Sequence, residues 1–391
     1  MRQAVEVSRT IAAPNWAVWG LIGGFDLGWH PDVAECRIEG PLRHLRMADG
    51  SRMTEHLHYR SATQGRLVYG IQGTGYRAEL LCQPEGDSSR LIWRANPEPD
   101  SADFVHGLLD RGLGALALRL ELTEARFGPG GRLAGLCAGQ GPLAILLHGI
   151  GGTKENWRDQ LFALAPRFRA IALDMQGYGD SAETEGPMTL AGLIDDLSLV
   201  LSQTGAAQAH LIGLSFGAWL AATYAMTHPE RVASLTCSGG FLGMTEAPEP
   251  VRANFLSLRL QPLDAGESPA TLAPAVWDRL KGPNATPNVE QAFLASMRAI
   301  PASAYRKALH CFTSPPFALD FSRLTMPVLT MTGAHDALAS PAEIAGVTER
   351  LRAASPHVRH EVIEGAGHLC NMEQPHAYNR HLTVFLKGLP R

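Results

Sequence analysis

From residue 5 to residue 95 the apolar positions come in short runs broken by Gly, Pro and Asp, and over residues 52–59, 66–71 and 77–82 they alternate with polar ones. A period of two turns successive side chains to opposite faces, so this stretch predicts a meander of antiparallel strands. After Pro99 the period lengthens. Phe104, Val105, Leu108, Leu109, Leu113, Leu116 and Leu120 recur at helical spacing behind the capping candidates Asp100 and Ser101, which predicts one long amphipathic helix. Gly128, Pro129, Gly130, Gly131, Gly135, Gly139, Gly141 and Pro142 then crowd together. Such a cluster breaks regular structure, and it predicts a linker at residues 125–139 between a domain of residues 1–124 and one of residues 140–391.

Beyond the linker, apolar runs with the character of buried parallel strands, at residues 143–147, 170–173, 210–214, 232–237, 328–332 and 362–363, alternate with helical stretches. This predicts an α/β sheet. Between about residues 242 and 322 the alternation lapses into proline-punctuated helical pieces, expected to form an insertion folded over the sheet as a lid.

A length of 391 residues is ample for two cores, and 45% hydrophobic with 18% charged residues suits a globular chain. The net charge of −4 is spread without a basic run, which removes the electrostatic footprint that nucleic acid or an anionic membrane demands. A small, neutral or largely apolar ligand is expected instead. No stretch has the apolar length of a membrane span and the first ten residues lack an apolar core, so a cytoplasmic location is expected. Six scattered cysteines without a C-x-x-C pair read as free thiols.

The chemistry concentrates in the second domain. Gly213-Leu214-Ser215-Phe216-Gly217 stands directly between a predicted strand and a predicted helix. Glycines two before and two after the serine permit a tight turn that lifts the hydroxyl above the sheet, at a helix N-terminus whose unpaired amides favour developing negative charge. The Phe216 amide is one candidate oxyanion donor. The glycine-rich loop His148-Gly149-Ile150-Gly151-Gly152, after the strand at 143–147, offers the Ile150 amide as a second, with His148 structural. A serine hydroxyl needs a base, and Gly367-His368 supplies one on a late loop. Asp336, after the strand at 328–332, is the candidate for holding the imidazole in the correct tautomer. Asp174 is expected instead to hold the Gly177-Tyr178-Gly179 turn through backbone bonds.

These motifs, with Asp174-Met-Gln-Gly177-Tyr-Gly179-Asp-Ser181, resemble the α/β-hydrolase superfamily over about residues 140–391, and residues 366–375 are similar to the branch of 3-oxoadipate enol-lactonases and related esterases. The resemblance implies an acyl-enzyme hydrolase of a small, largely apolar carboxylic ester that needs neither metal nor organic cofactor, with lactone or carbon–carbon bond hydrolysis by the same triad as the alternative. Haloalkane dehalogenases and epoxide hydrolases carry an aspartate where this chain has Ser215. Trp29-His30-Pro31, residues 36–40, Glu55-His56-Leu57 and Trp93 resemble the helix-grip superfamily of polyketide cyclases and START-like domains over about residues 1–124. That likeness implies an α+β fold, an antiparallel sheet around a long helix, with an apolar cavity for a hydrophobic ligand or a cyclase site.

Some residues carry two readings. His56 and His58 share one face of a strand and could collect a metal with His30 or His44, but without a carboxylate or thiolate cluster a solvated face is favoured and no metal is expected. Cys237 and Cys370 read as small buried hydrophobes. Trp277, Phe293 and Met297 in the insertion either line the substrate pocket or form the core of the lid.

Overall fold

A computed structural model describes residues 4–314, 319–355 and 357–389. Residues 315–318, inside the expected insertion, lie outside the described residues. The chain divides into two compact units, the first comprising the segment up to Leu122 together with Ala138–Gln140 and Ala165–Arg167.

The first unit is a seven-stranded antiparallel sheet. Its strands are β1 (Val5–Ile11), β2 (Val33–Glu39), β3 (Leu42–Met47), β4 (Arg52–Ser61), β5 (Arg66–Ile71), β6 (Arg77–Glu85) and β7 (Ser88–Ala95), in the order β1-β7-β6-β5-β4-β3-β2. A short helix α1 (Asn15–Ile22) follows β1, and the long helix α2 (Ala102–Leu120) follows β7. The apolar stripe of α2 is buried at Leu109, Leu113, Leu116 and Leu120, as its periodicity predicts. At Gly112 the helix lies directly on His30 and Trp93, where a Cβ would come within 2.7 Å of either ring.

Where an apolar cavity is expected, this interior holds packed aromatics and a buried ion pair. Arg43 and Glu55 bond to each other almost fully out of solvent, and the guanidinium lies over the rings of Phe25 and Tyr69. Arg43 Nη1 also donates to the carbonyl of Phe25 at 3.0 Å, a residue held at φ 64°. Breaking such a pair from one side strands a buried charge, so Arg43→Met is expected to cost about 3–5 kcal/mol, read as a lowered thermal midpoint of the first unit. His56 Nδ1 and His58 Nδ1 approach to 3.3 Å, while His30 is taken by the Leu108 carbonyl and His44 by Thr54. Among the described residues, no group of three or more metal-ligating side chains assembles.

The second unit is built on an eight-stranded sheet, mostly parallel, in the order β15-β14-β13-β12-β10-β11-β9-β8. Its strands are β8 (Thr123–Phe127), β9 (Leu133–Ala138), β10 (Leu143–Leu147), β11 (Arg169–Leu173), β12 (Ala209–Leu214), β13 (Val232–Ser238), β14 (Val328–Gly333) and β15 (Val358–Ile363). The segment expected to be a linker is instead the hairpin β8-β9, paired antiparallel at the sheet edge. Its glycine cluster is the hairpin turn, with Gly128, Gly130 and Gly131 at φ 81°, 65° and 69°. Every residue of β9 is buried, so the strand is short and apolar without alternation, a pattern that Gly135 and its flanking glycines disguise.

Helices α3 (Arg158–Leu164), α4 (Leu190–Thr204), α5 (Phe216–Thr227), α10 (Pro341–Ala354), α11 (Cys370–Glu373) and α12 (Pro375–Lys387) accompany the sheet. Among the described residues between β13 and β14 stand four further α-helices, α6 (Glu249–Asp264), α7 (Pro269–Leu280), α8 (Pro287–Arg298) and α9 (Ala302–Phe312), where the insertion is expected. All six described cysteines are unpaired, five of them buried. No helix among the described residues is long and apolar enough to cross a membrane.

Candidate active site

Four loops meet beyond the carboxyl ends of parallel strands, the usual place for a site in such a sheet. Ser215 joins β12 to α5 and is held at φ 55°, ψ −113°, a conformation that costs a non-glycine residue on the order of 1–3 kcal/mol. The surroundings enforce it. Its N–H donates to the Ser238 carbonyl at 2.8 Å, and its own carbonyl accepts from Ala218 N and Trp219 N. The flanking glycines are steric requirements, because a Cβ on Gly213 would stand 2.3 Å from the Gly217 carbonyl oxygen and one on Gly217 2.1 Å from that of Leu147. The helix behind the turn, α5, is buried from Phe216 to Met226, which anchors the bend.

His368 follows β15 and Asp336 follows β14, and the two side chains are hydrogen-bonded, Nδ1 to Oδ2, at 2.9 Å. The other carboxylate oxygen of Asp336 accepts from the amides of Leu338 at 2.8 Å and Ala339 at 2.9 Å. A carboxylate beside Nδ1 keeps the proton there and leaves Nε2 as an acceptor. The loops interlock, since a Cβ on Gly333 would lie 2.0 Å from the Gly367 carbonyl oxygen. Ser215 and His368 both line one cavity of about 660 Å³, with Ile150 and Phe216 on the same wall. The serine sits against the glycine-rich loop, for a Cβ on Gly149 would lie 3.4 Å from that of Ser215.

His148 sets the orientation of that loop. Its Nε2 accepts from Met175 N at 3.1 Å, so Nδ1 must carry the proton donated to the Gly149 carbonyl at 2.8 Å. Burial pulls the His148 pKa below its ordinary value, which keeps the ring in this neutral form. The Gly149 carbonyl accepts from Gly152 N as well, and Tyr178 Oη donates to the Ile150 carbonyl at 3.0 Å. With the Gly149 carbonyl pinned, the trans geometry of its peptide turns the Ile150 N–H to the opposite side. Asp174 holds the neighbouring turn by accepting from the amides of Lys154 and Asp180.

One functional side chain escapes the sequence reading. Glu373, buried on α11, accepts from the amides of Gly367 at 3.1 Å, Leu369 at 3.2 Å and Gly282 at 2.6 Å, tying the His368 loop to the turn between α7 and α8. The His368 amide donates to the Leu280 carbonyl at 2.8 Å across the same junction. Burial raises the Glu373 pKa, and these backbone donors oppose it. A glutamine would turn its amide donors onto amides already donating. Glu373→Gln is therefore expected to lose about 1–3 kcal/mol of stability and roughly 10- to 100-fold in kcat, measured by thermal melting and ester turnover.

Of the three candidate pocket residues, Phe293 reaches the cavity wall. Trp277 and Met297 are not on the wall. Trp277 stacks on Phe293 with centroids 5.7 Å apart, and Met297 is fully buried against the Gly151 loop. Trp277 packs within the insertion, and Met297 is buried between the insertion and the glycine-rich loop. Cys237 and Cys370 are fully buried, and burial raises both thiols far above the usual range, which leaves them inert.

Comparison with known proteins agrees with this architecture. A model of the alpha/beta hydrolase fold matches residues 142–375, and one described as polyketide cyclase / dehydrase and lipid transport matches residues 2–121. A proposed carbamate hydrolase, RutD, of Enterobacter cloacae is 26% identical, over 63% of this chain and 91% of its own length. A pimeloyl-[acyl-carrier protein] methyl ester esterase of Aeromonas hydrophila is 28% identical, over 63% of this chain and 96% of its own. Among solved structures, a thermophilic esterase from Thermogutta terrifontis superposes with a TM-score of 0.58 at 25% identity, covering 68% of this chain and 98% of that one.

Proposed function

Since the chain belongs to the alpha/beta hydrolase family through residues 142–375, we propose that it is a serine hydrolase that cleaves a carboxylic ester of a small molecule through an acyl-enzyme. The observation that carries this reading is the strained Ser215 lining the same cavity as a histidine whose Nδ1 is bonded to a buried carboxylate.

In this reading Ser215 Oγ attacks the ester carbonyl while His368 Nε2 takes its proton. Asp336 steadies the imidazolium that forms, and the amides of Ile150 and Phe216 receive the charge developing on the carbonyl oxygen. His368 then gives the proton to the departing alcohol. A water activated by the same nitrogen frees the acid and restores the serine. Each actor has support. The pinned Gly149 carbonyl turns the Ile150 amide, and the Phe216 amide opens α5, where the helix dipole favours an anion.

The relatives' names leave the leaving group open, since one is named for carbamates and another for a methyl ester. A lactone or a carbon–carbon bond beside a ketone suits the same groups. A panel of p-nitrophenyl esters, a p-nitrophenyl carbamate, simple lactones and a vinylogous diketone tests the choice. Esters are expected to turn over at least about tenfold faster than the others in kcat/KM, and a faster lactone, carbamate or diketone would overturn the ester assignment.

For the first unit we propose small-molecule binding, supported by the family model over residues 2–121. A thermal-shift screen of hydrophobic acids and alcohols on the full chain is expected to raise the midpoint with at least one class, and no shift with any of them would count against it.

A further inference from the structure

The insertion gives the cavity lined by Ser215 apolar surface at Phe255, Leu272, Val276 and Phe312, and charged surface as well. Two guanidinium-bearing residues reach the wall there, Arg259 from α6 and Arg279 from α7, with Tyr305 from α9 beside them. Among the described residues neither arginine has a carboxylate partner. Arg259 lies flat on Phe255, its guanidinium carbon 3.4 Å from the ring centroid, and its hydrogen bond goes to the Phe255 carbonyl of its own helix turn at 3.1 Å.

Three acids of this region are paired with other cations. Asp278 is bonded to Lys281 at 2.6 Å, Asp264 to Arg306 at 2.7 Å, and Glu246 to Arg350 through both oxygens. Glu343, the remaining acid on the wall, stands on α10 close enough to Asp336 to feel its charge. The segments outside the described residues contain no Asp or Glu.

A half-buried cation beside a second cation is an unbalanced charge. Burial and, more weakly, the like charge of Arg279 pull the Arg259 pKa below its ordinary value. A guanidinium does not give up its proton, so the imbalance is relieved by binding an anion. Two planar forks and a phenol with no hydrogen-bond partner among the described residues suit a carboxylate, which accepts paired N–H bonds and an O–H bond together.

We propose that Arg259, Arg279 and Tyr305 form a carboxylate subsite, and that the preferred ester carries a carboxylate separated by an aliphatic chain from the carbonyl that meets Ser215. This rests on the serine-hydrolase reading and replaces the neutral substrate expected from the scattered charges of the sequence. The apolar side chains lining the same cavity suit the aliphatic chain, and a volume of about 660 Å³ accommodates such a molecule.

The test compares two probes on the full chain, the p-nitrophenyl monoester of adipic acid and the same molecule with its free acid capped as a methyl ester. The free acid is expected to be preferred about tenfold or more in kcat/KM, the range for hydrogen bonds to a charged group. Arg259→Gln is expected to reduce that preference about tenfold, and Arg279→Glu to invert it. Arg279 is exposed, so its substitution leaves packing intact. Calorimetric binding of adipic acid monoanilide and its methyl-capped form to the Ser215→Ala protein reads the subsite without turnover, and the acid is expected to bind about tenfold tighter. Equal binding of acid and capped forms, or a preference that survives both arginine substitutions, would overturn the subsite. Failure of the serine reading has a separate signature, which is ester turnover that persists in Ser215→Ala.

Discussion

Alanine at position 215 is expected to remove ester hydrolysis almost completely, by about 10⁴- to 10⁶-fold in kcat, with substrate affinity little changed. The change deletes one oxygen from a side chain whose backbone is held by Ser238, Ala218 and Trp219, so the turn itself persists. The fold should therefore melt at nearly the same temperature. Glycine at this position goes further, because it releases the penalty of φ 55° on a residue with a Cβ, and is expected to stabilise the protein by about 1 kcal/mol while being equally inactive. A variant that gains stability as it loses activity would identify the bend as strain kept for function. Retained turnover in Ser215→Ala, measured on p-nitrophenyl esters, would remove the serine from the mechanism.

Asparagine at position 336 is expected to lower kcat by about 10⁴-fold with little change in structure. The reason lies in the two amides of Leu338 and Ala339, which donate to Oδ1. An asparagine must keep its carbonyl oxygen facing those donors, which turns its NH₂ group toward Nδ1 of His368. The imidazole can then pair with it only by moving its proton to Nε2, the nitrogen that must accept from Ser215. Steady-state kcat and a crystal structure of the variant check both halves. Full activity in Asp336→Asn would mean that another group orients the histidine.

Much of the bend at Ser215 is legible in the amino-acid sequence. A buried strand, a serine between two glycines and an apolar helix in direct succession fix a local geometry that no distant residue needs to supply, and the turn at Ser215 follows from that short run of positions. The long helix of the first unit is equally legible from its leucine spacing. What the pattern hides depends on partners far along the chain. Gly282 and Glu373 are 91 residues apart, so the tie between the insertion and the histidine loop leaves no local mark. Arg259 and Arg279 look like ordinary surface charges until the helices that carry them are folded over the cavity. The β8-β9 hairpin is obscured for a different reason. Glycines at positive φ make a tight turn as readily as they make a loose tether, and composition alone does not separate the two. Trp277 and Met297 look like pocket residues by chemistry, and only the folded packing shows that Trp277 stacks on Phe293 and that Met297 is buried against the glycine-rich loop.

The central claim is that one hydroxyl in this chain is made nucleophilic by its neighbours. Labelling the 391-residue chain with a fluorophosphonate, followed by peptide mass spectrometry, tests this directly. A single adduct on the peptide containing Ser215, absent in His368→Ala, is the predicted result. An active ester hydrolase that took up no label, or carried it on any other residue, would contradict it.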